Sequence, residues 1–128
     1  KSHNISISHS DYYATILICK KKHVGIDIEK ISPKIEYIAS KFLKNGELKH
    51  IHDSTRIYHL YLHWCAKEAL FKLCDRKRMS LRENITIEPF VPYESGTMYG
   101  SVNYRDIRER FLLNYFSIEN YSVVWCRK

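Results

Sequence analysis

Apolar and polar residues alternate with a period of two near the start of the chain. Val24, Ile26 and Ile28 are separated by Gly25, Asp27 and Glu29, which is typical of a β-strand. The segment 12–19 (YYATILIC) is β-branched and aromatic and predicts a buried strand. Together these patterns predict strands at 3–8, 12–19 and 24–31, with a charged turn at 20–23.

Helical spacing follows the third strand. Pro33 ends that strand, residues 35–43 predict a helix that stops at Asn45-Gly46, and residues 47–52 predict a short one. Asp53-Ser54 is a candidate N-cap for the longest helix, residues 55–74. Its predicted inward row contains Ile57, Leu60, Tyr61, Trp64, Glu68 and Phe71, widened by Leu70, Leu73 and Cys74.

The last third of the chain has a strand pattern at 85–88, 97–102, 111–118 and 121–126. The predicted order along the chain is strands, then helices, then an antiparallel meander. This order favours an α+β fold in which one long helix packs on a mostly antiparallel sheet. A chain of 128 residues is the length of one domain, which we place at 1–128.

Composition narrows the class of protein. Hydrophobic residues make up 45% of the chain and can fill one core, but no apolar run reaches the roughly 20 residues that span a bilayer, so we expect no membrane partner. The net charge is +7, which attracts anions without selecting among them. The four cysteines form no C-x-x-C pair, which predicts reduced thiols and a cytoplasmic location.

Three carboxylates lie where apolar side chains would be expected. Asp27 and Glu29 share one face of a strand, about 7 Å apart. Glu68 lies in a row with Trp64 and Lys72 at intervals of four residues. Burying an unpaired carboxylate costs several kcal/mol or forces its protonation. A divalent cation with an anionic ligand removes that cost, so the sequence predicts a metal–phosphate site.

These segments also resemble a known family. VGIDIE at 24–29, followed about forty residues later by WCAKEALFK at 64–72, is similar to the signature of the 4′-phosphopantetheinyl transferases, a (V/I)-G-(I/V)-D strand and a W/F-x-x-K-E-(A/S)-x-x-K helix. Ile7-Ser8-His9-Ser10 resembles the I-S-H-S segment of the larger, surfactin-synthetase-activating type, which also carries the second acid, here Glu29. The resemblance covers residues 5–72.

The resemblance implies a metal centre and a catalytic pair. Asp27, Glu29 and Glu68 would hold Mg²⁺, which prefers oxygen ligands and keeps water and substrate phosphate in its shell. Glu68, acting directly or through metal-bound water, is also the first candidate for the base that takes the proton of the attacking hydroxyl. Lys72, one helical turn further on, would bind the phosphates of coenzyme A.

It also implies the substrates. Ser8 and His9 would meet the 3′-phosphate of coenzyme A, and Lys67 is a further candidate for binding it. The reaction would transfer the 4′-phosphopantetheine arm of coenzyme A to a serine of an apo acyl or peptidyl carrier protein. The carrier protein and its pathway (fatty acid, polyketide or nonribosomal peptide synthesis) stay open.

The chain departs from the larger type in two ways. That type often has a glycine-flanked Lys or Arg after the helix, whereas residues 75–79 (DRKRM) contain no glycine. It also has two similar lobes, and this chain resembles the second lobe with the strand leading into it. Either an N-terminal part is absent from the chain, or identical subunits build the site as a homo-oligomer.

Other interpretations compete with this one. A basic nucleic-acid-binding module using 20–22 and 76–78 would explain the charge but not the three acids, so we expect no nucleic-acid partner. An inactive lobe that only binds a partner is a third possibility. Asp27 and Glu29 could instead lie on the solvent-exposed face of an edge strand. Glu68 and Lys72 could form a surface ion pair worth about 0.3–0.5 kcal/mol. Residues 8–10 could form a turn without a functional role. His59 with His63, and His50 with His52, are interpreted as surface pairs, not zinc ligands.

Overall fold

A computed structural model describes residues 4–10, 13–19 and 23–128, without the side chains of 4, 5 and 16–19. The predicted first residues of two strands, His3 and Tyr12, and the Lys20–Lys22 turn lie outside the described residues. The side chain of Cys19 also lies outside them.

The main sheet has five antiparallel strands, in the order β3-β7-β6-β5-β4. A separate antiparallel hairpin is formed by β1 and β2. The α+β fold class predicted from the sequence is therefore confirmed. The strands are β1 Asn4–Ser10, β2 Tyr13–Cys19, β3 Val24–Lys30, β4 Ile85–Ile87, β5 Ser95–Tyr104, β6 Ile107–Ile118 and β7 Tyr121–Arg127.

The long helix is α3, Arg56–Cys74, preceded by a 3₁₀ turn at Asp53–Thr55. The predicted helix at 35–43 is divided into a 3₁₀ turn, Pro33–Tyr37, and α1, Ala39–Phe42. Ile38 separates the two with a non-helical backbone (φ −118°, ψ 3°). The short helices α2, Asn45–Leu48, and α4, Leu81–Asn84, complete the helical layer.

The predicted capping of α3 differs from the structure. Asp53 and Ser54 belong to the 3₁₀ turn, and Thr55 occupies the N-cap position without a side-chain hydrogen bond to the helix. Thr55 has a non-helical backbone (φ −126°, ψ 31°) and separates the 3₁₀ turn from α3.

The face that α3 buries is broader than the predicted row. Leu60 and Tyr61 of that row are buried as predicted, and so are Leu62 and Ala66, which lie outside it. Trp64, Glu68 and Phe71 of the predicted row are only partly buried. Almost the whole circumference of α3 is covered, because the sheet lies on one side and the short helices and the 85–90 segment on another. A simple inward row therefore could not be read from the sequence.

His59 and His63 are buried, so their interpretation as surface residues is wrong. The ring of His63 stacks on Phe90 with centroids 5.3 Å apart. Its Nδ1 lies 3.0 Å from the carbonyl oxygen of His59, and burial lowers the pKa of His63 to about 4. Both histidines act as neutral core residues.

The β1–β2 hairpin lies along the edge of β3, where serines of β1 accept backbone N–H groups of β3. Ile26 and Ile28 of β3 pack with Tyr121 and Val123 of β7 on the face away from α3. Tyr13 of β2 joins them through an edge-to-face contact with Tyr121, at 4.8 Å between ring centroids. Asp27 and Glu29 lie on the opposite face of β3, toward α3. In the part of the chain that the structure describes, no helix is long and apolar enough to cross a membrane.

Candidate active site

The site lies where α3 crosses β3. Gly25 permits a close approach of the two backbones, since a Cβ atom at this position would lie 1.9 Å from the carbonyl oxygen of Ala69. Because side chains alternate along a strand, Asp27 and Glu29 follow Gly25 on the same face. Glu68 and Lys72 flank Ala69 on the helix and are thereby brought beside Asp27.

Asp27 is the most buried of the three acids and is held through one oxygen. Its Oδ1 accepts a hydrogen bond from Ser8 Oγ at 3.0 Å and lies 3.3 Å from Lys72 Nζ. Among the residues that the structure describes, its buried Oδ2 has no hydrogen-bond partner. A buried carboxylate oxygen without a partner is costly, and a cation bound at this atom would offset that cost.

Lys72 is anchored at the junction of β1, β3 and α3. Its ammonium donates to the carbonyl oxygens of Ile26 at 2.8 Å and Ile7 at 3.3 Å. The side chain is 31% exposed, compared with 6% for that of Asp27. The positive charge therefore lies at the border between the buried carboxylate and solvent, where an anionic substrate can reach it.

The three acids interact through their charges. The pKa of Asp27 is raised to about 7, first by burial and then by the negative charge of Glu29, while Lys72 opposes the shift. A hydrogen bond with Glu29 and the charge of Glu68 contribute in the same direction as burial. Burial also raises the pKa of Glu68. This mutual destabilisation of the charged forms means that the carboxylates lie near one another, and that a cation between them would stabilise all three.

A closed metal centre is nevertheless not formed. Within 4–10, 13–19 and 23–128, no group of three or more His, Cys, Asp or Glu side chains is arranged to hold a metal ion. Like charges repel without a cation, and Lys72 already neutralises one oxygen of Asp27. The chemistry of the donors still fits Mg²⁺: three carboxylates, one with an unpartnered buried oxygen.

Lys67, a candidate from the sequence for binding coenzyme A, lies outside this group of side chains. It is fully buried and donates to Glu47 Oε1 at 2.8 Å and to the carbonyl oxygens of Leu81 at 3.0 Å and Ile85 at 2.6 Å. Five positions separate it from Lys72, or about 140° around the helix axis. Its role is to join α3 to α2 and to the start of β4.

Ser8 and His9 face opposite ways, as neighbours on a strand do. Ser8 is buried and its hydroxyl is used inside the protein. His9 is exposed on the outer face of β1. The structure thus brings Ser8 to Asp27 and Lys72, and His9 lies outside that group.

In the loop after α3, Asp75 adopts the backbone conformation for which a glycine was expected. Asp75 adopts the left-handed conformation (φ 53°), and its N–H donates to the carbonyl oxygen of Phe71 at 3.0 Å. Asp is one of the few non-glycine residues that tolerate this region. Arg76 then forms two hydrogen bonds with Asp106, at 2.9 and 3.2 Å.

Comparison with known proteins identifies the family. The model of the 4′-phosphopantetheinyl transferase superfamily matches residues 23–126, which include β3, α3 and the whole main sheet. The chain belongs to this superfamily. No curated protein matches the chain.

Membership fixes the general activity. This superfamily transfers phosphopantetheine, and its members in general draw it from coenzyme A. The I-S-H-S segment at 7–10 lies outside the matched residues.

Sequence reasoning missed the role of Gly25 in the site and the buried ion pair of Glu47, which lies outside the site. Gly25 was visible only as part of a motif, although an alternating strand with glycine opposite a long helix is a signal for close packing. Glu47 gave no signal, because one acid in a short polar helix is ordinarily exposed; here it is buried and pairs with Lys67.

Proposed function

We propose that the chain is a Mg²⁺-dependent 4′-phosphopantetheinyl transferase that modifies a serine of an apo acyl or peptidyl carrier protein. The observation that carries the proposal is the buried, unpartnered Oδ2 of Asp27, lying beside two further acids and one lysine. A cation bound to that oxygen and to the diphosphate of coenzyme A would satisfy the atom and the charges around it.

The ligands of the metal would be Asp27, Glu29 and Glu68. Asp27 is fixed by its hydrogen bonds, whereas Glu29 and Glu68 are only partly buried and have room to turn toward an ion. When bound, Mg²⁺ would neutralise charge on the diphosphate and orient it. Fewer protein ligands suffice than for other metals, because Mg²⁺ retains several waters.

Lys72 would bind the diphosphate directly. Its ammonium lies at the solvent border of the site and is held by backbone carbonyl oxygens, so its position is fixed before substrate arrives. A fixed positive charge stabilises the developing charge on the phosphoryl oxygens without reorganisation.

Glu68 would act as the general base. The serine hydroxyl of the carrier attacks the β-phosphorus of coenzyme A, its proton passes to Glu68, and 3′,5′-ADP leaves as the 4′-phosphopantetheine arm transfers. Burial raises the pKa of Glu68 above the ordinary value of a glutamate, which makes it a stronger base near neutral pH.

The larger, surfactin-synthetase-activating type is the subtype that we infer. Its support is the second strand acid, Glu29, and the Ile7-Ser8-His9-Ser10 segment that lies along β3. In this subtype a second lobe faces the site, so we propose that 1–128 forms one lobe and that another lobe or a second copy supplies further contacts to coenzyme A.

The experiment is a mass measurement on the carrier protein. The chain is mixed with coenzyme A, Mg²⁺ and an apo carrier protein, and the intact mass of the carrier is recorded. A gain of one phosphopantetheine group supports the proposal, and the gain should disappear with EDTA. No gain, either with the chain alone or with a version extended at the N-terminus, would contradict it.

The nucleic-acid alternative is weakened by one contact. Arg76, which a basic binding surface would use, forms a bidentate ion pair with Asp106. A filter-binding measurement with generic DNA and RNA at rising salt tests this alternative, and the proposed function predicts no specific complex.

A further inference from the structure

Three serines of β1 lie along the free edge of β3 in a regular series. Ser6, Ser8 and Ser10 occupy alternate positions, and their hydroxyls accept the backbone N–H groups of 26, 28 and 30 at 2.8, 2.9 and 3.2 Å. In the part of the chain that the structure describes, β3 is the edge strand of its sheet, and the serine hydroxyls accept the N–H groups that point away from β7. This shared role is structural.

Ser8 differs from the other two because its hydroxyl makes a second bond. It donates to Oδ1 of Asp27 at 3.0 Å while it accepts from the N–H of Ile28. A serine hydroxyl has one proton, so that proton is committed to the carboxylate. We infer that Ser8 is a positioning residue for the metal ligand Asp27: it holds Oδ1 so that Oδ2 is the oxygen left to bind the cation.

The position of Ser8 is itself fixed from two sides. Thr15 Oγ1 of β2 donates to the backbone carbonyl oxygen of Ser8 at 3.2 Å, and the two residues are paired across the hairpin. Ser8 is 6% exposed. A hydroxyl held by neighbouring strands restricts the rotation of the Asp27 carboxylate more firmly than a mobile surface group would.

This role differs from the contact with the 3′-phosphate of coenzyme A that the family resemblance implied for Ser8. The hydroxyl proton is directed to Asp27, and the hydroxyl oxygen accepts the N–H of Ile28 at the edge of β3. The inference rests on the proposed function, since it assigns Ser8 to the metal site of that function.

The chain provides a matched control for a test. Ser6→Ala removes the same type of bond, from hydroxyl to an N–H of β3, at a position that is equally buried (5% and 6% exposed). It touches no carboxylate that the structure describes. The difference between Ser8→Ala and Ser6→Ala therefore isolates the bond to Asp27 from the shared role in the sheet edge.

The experiment measures Mn²⁺ binding by electron paramagnetic resonance with coenzyme A present, since Mn²⁺ accepts the same oxygen ligands as Mg²⁺. Partners that orient a metal ligand typically contribute 10- to 100-fold in affinity, so Ser8→Ala should bind Mn²⁺ about 10-fold more weakly than the wild type. Ser6→Ala should remain within about 2-fold of it, and thermal unfolding confirms that both variants fold.

Each outcome has a definite meaning. Equal losses in the two variants, or no loss in Ser8→Ala, would overturn the role of Ser8 while leaving the proposed function intact. No Mn²⁺ binding by the wild-type chain would overturn both. If Ser8→Ala does not fold, Ser8→Cys, which keeps a weak donor of similar size, serves for the same comparison and should also bind Mn²⁺ more weakly than the wild type.

Discussion

Gly25 and Ala69 are in direct backbone contact. The space that a Cβ atom of residue 25 would fill is occupied by the Ala69 carbonyl oxygen at 1.9 Å and its carbonyl carbon at 2.8 Å. This contact sets the distance between β3 and α3, and with it the distance between Asp27 on the strand and Glu68 and Lys72 on the helix. The geometry of the site therefore depends on the absence of a side chain at Gly25.

Gly25→Ala should lower both stability and activity. The added methyl group meets backbone atoms that cannot rotate away, so we expect a loss of about 3 kcal/mol in the free energy of unfolding, measured by urea denaturation. Transfer activity should fall further than the folded fraction does. Gly46→Ala is the control, because a Cβ atom there meets nothing within 4 Å, and this variant should be as stable as the wild type or slightly more so.

Glu68→Gln should abolish most of the transfer activity and leave the fold intact. The amide has nearly the same shape but neither takes a proton nor carries charge to a cation, so kcat should fall by about 10²–10⁴. Single-turnover transfer to an apo carrier protein measures the effect. Glu88→Gln is the control: Glu88 forms an exposed ion pair with Arg110, and its loss should change neither transfer nor stability by much. Near-normal transfer by Glu68→Gln would reject its role as base and ligand.

The two lysines of α3 should behave in opposite ways. Lys67→Met leaves Glu47 as an unpaired buried charge, which should cost about 3–5 kcal/mol of stability. Lys72→Met should cost much less stability, because Lys72 is partly exposed, but should raise the KM for coenzyme A and lower kcat. Chemical denaturation and steady-state kinetics on both variants separate these effects. A wild-type KM in Lys72→Met would contradict the phosphate-binding role.

The buried His63 should make the protein sensitive to acid. Its pKa is about 4 in the folded state and about 6.5 when unfolded, so the unfolded state binds a proton that the folded state does not. Stability is then complete above pH 6.5 and falls as the pH drops toward 4, by about 3 kcal/mol for this residue. Urea midpoints between pH 7 and 4 measure the slope. His63→Gln should flatten it, and an unchanged slope would show that His63 is not responsible.

Much of the fold could be predicted from the sequence. The alternation of apolar and polar residues in β3 and the β-branched run in β2 predicted strands close to those observed. The apolar residues within 56–74 predicted the long helix. β6 begins at Ile107, earlier than the predicted start at residue 111. Residues 108–110 are Arg, Glu and Arg, so the start of this strand shows no alternation of apolar and polar residues. A strand with charged side chains on its solvent-exposed face is difficult to predict from the sequence, because its pairing with the neighbouring β5 determines its conformation.

The candidate site could be predicted only in part. The residue types and spacings indicated which acids approach one another, and the structure places them at one crossing of strand and helix. The partners of each group could not be predicted, because they come from elements distant in the sequence: Ser8 reaches Asp27 from β1, and Glu47 reaches Lys67 from α2. Long-range pairing of buried polar groups depends on the assembled fold, not on local pattern.

The central claim is that Asp27 binds a cation together with the diphosphate of coenzyme A. The most direct test is a Mn²⁺ titration, with coenzyme A present, of the wild type, Asp27→Asn and Asp106→Asn, the last being an exposed aspartate in a surface ion pair. We predict about one bound Mn²⁺ per chain for the wild type and Asp106→Asn, and affinity at least about 10-fold weaker for Asp27→Asn. Equal affinity in all three proteins would contradict the claim.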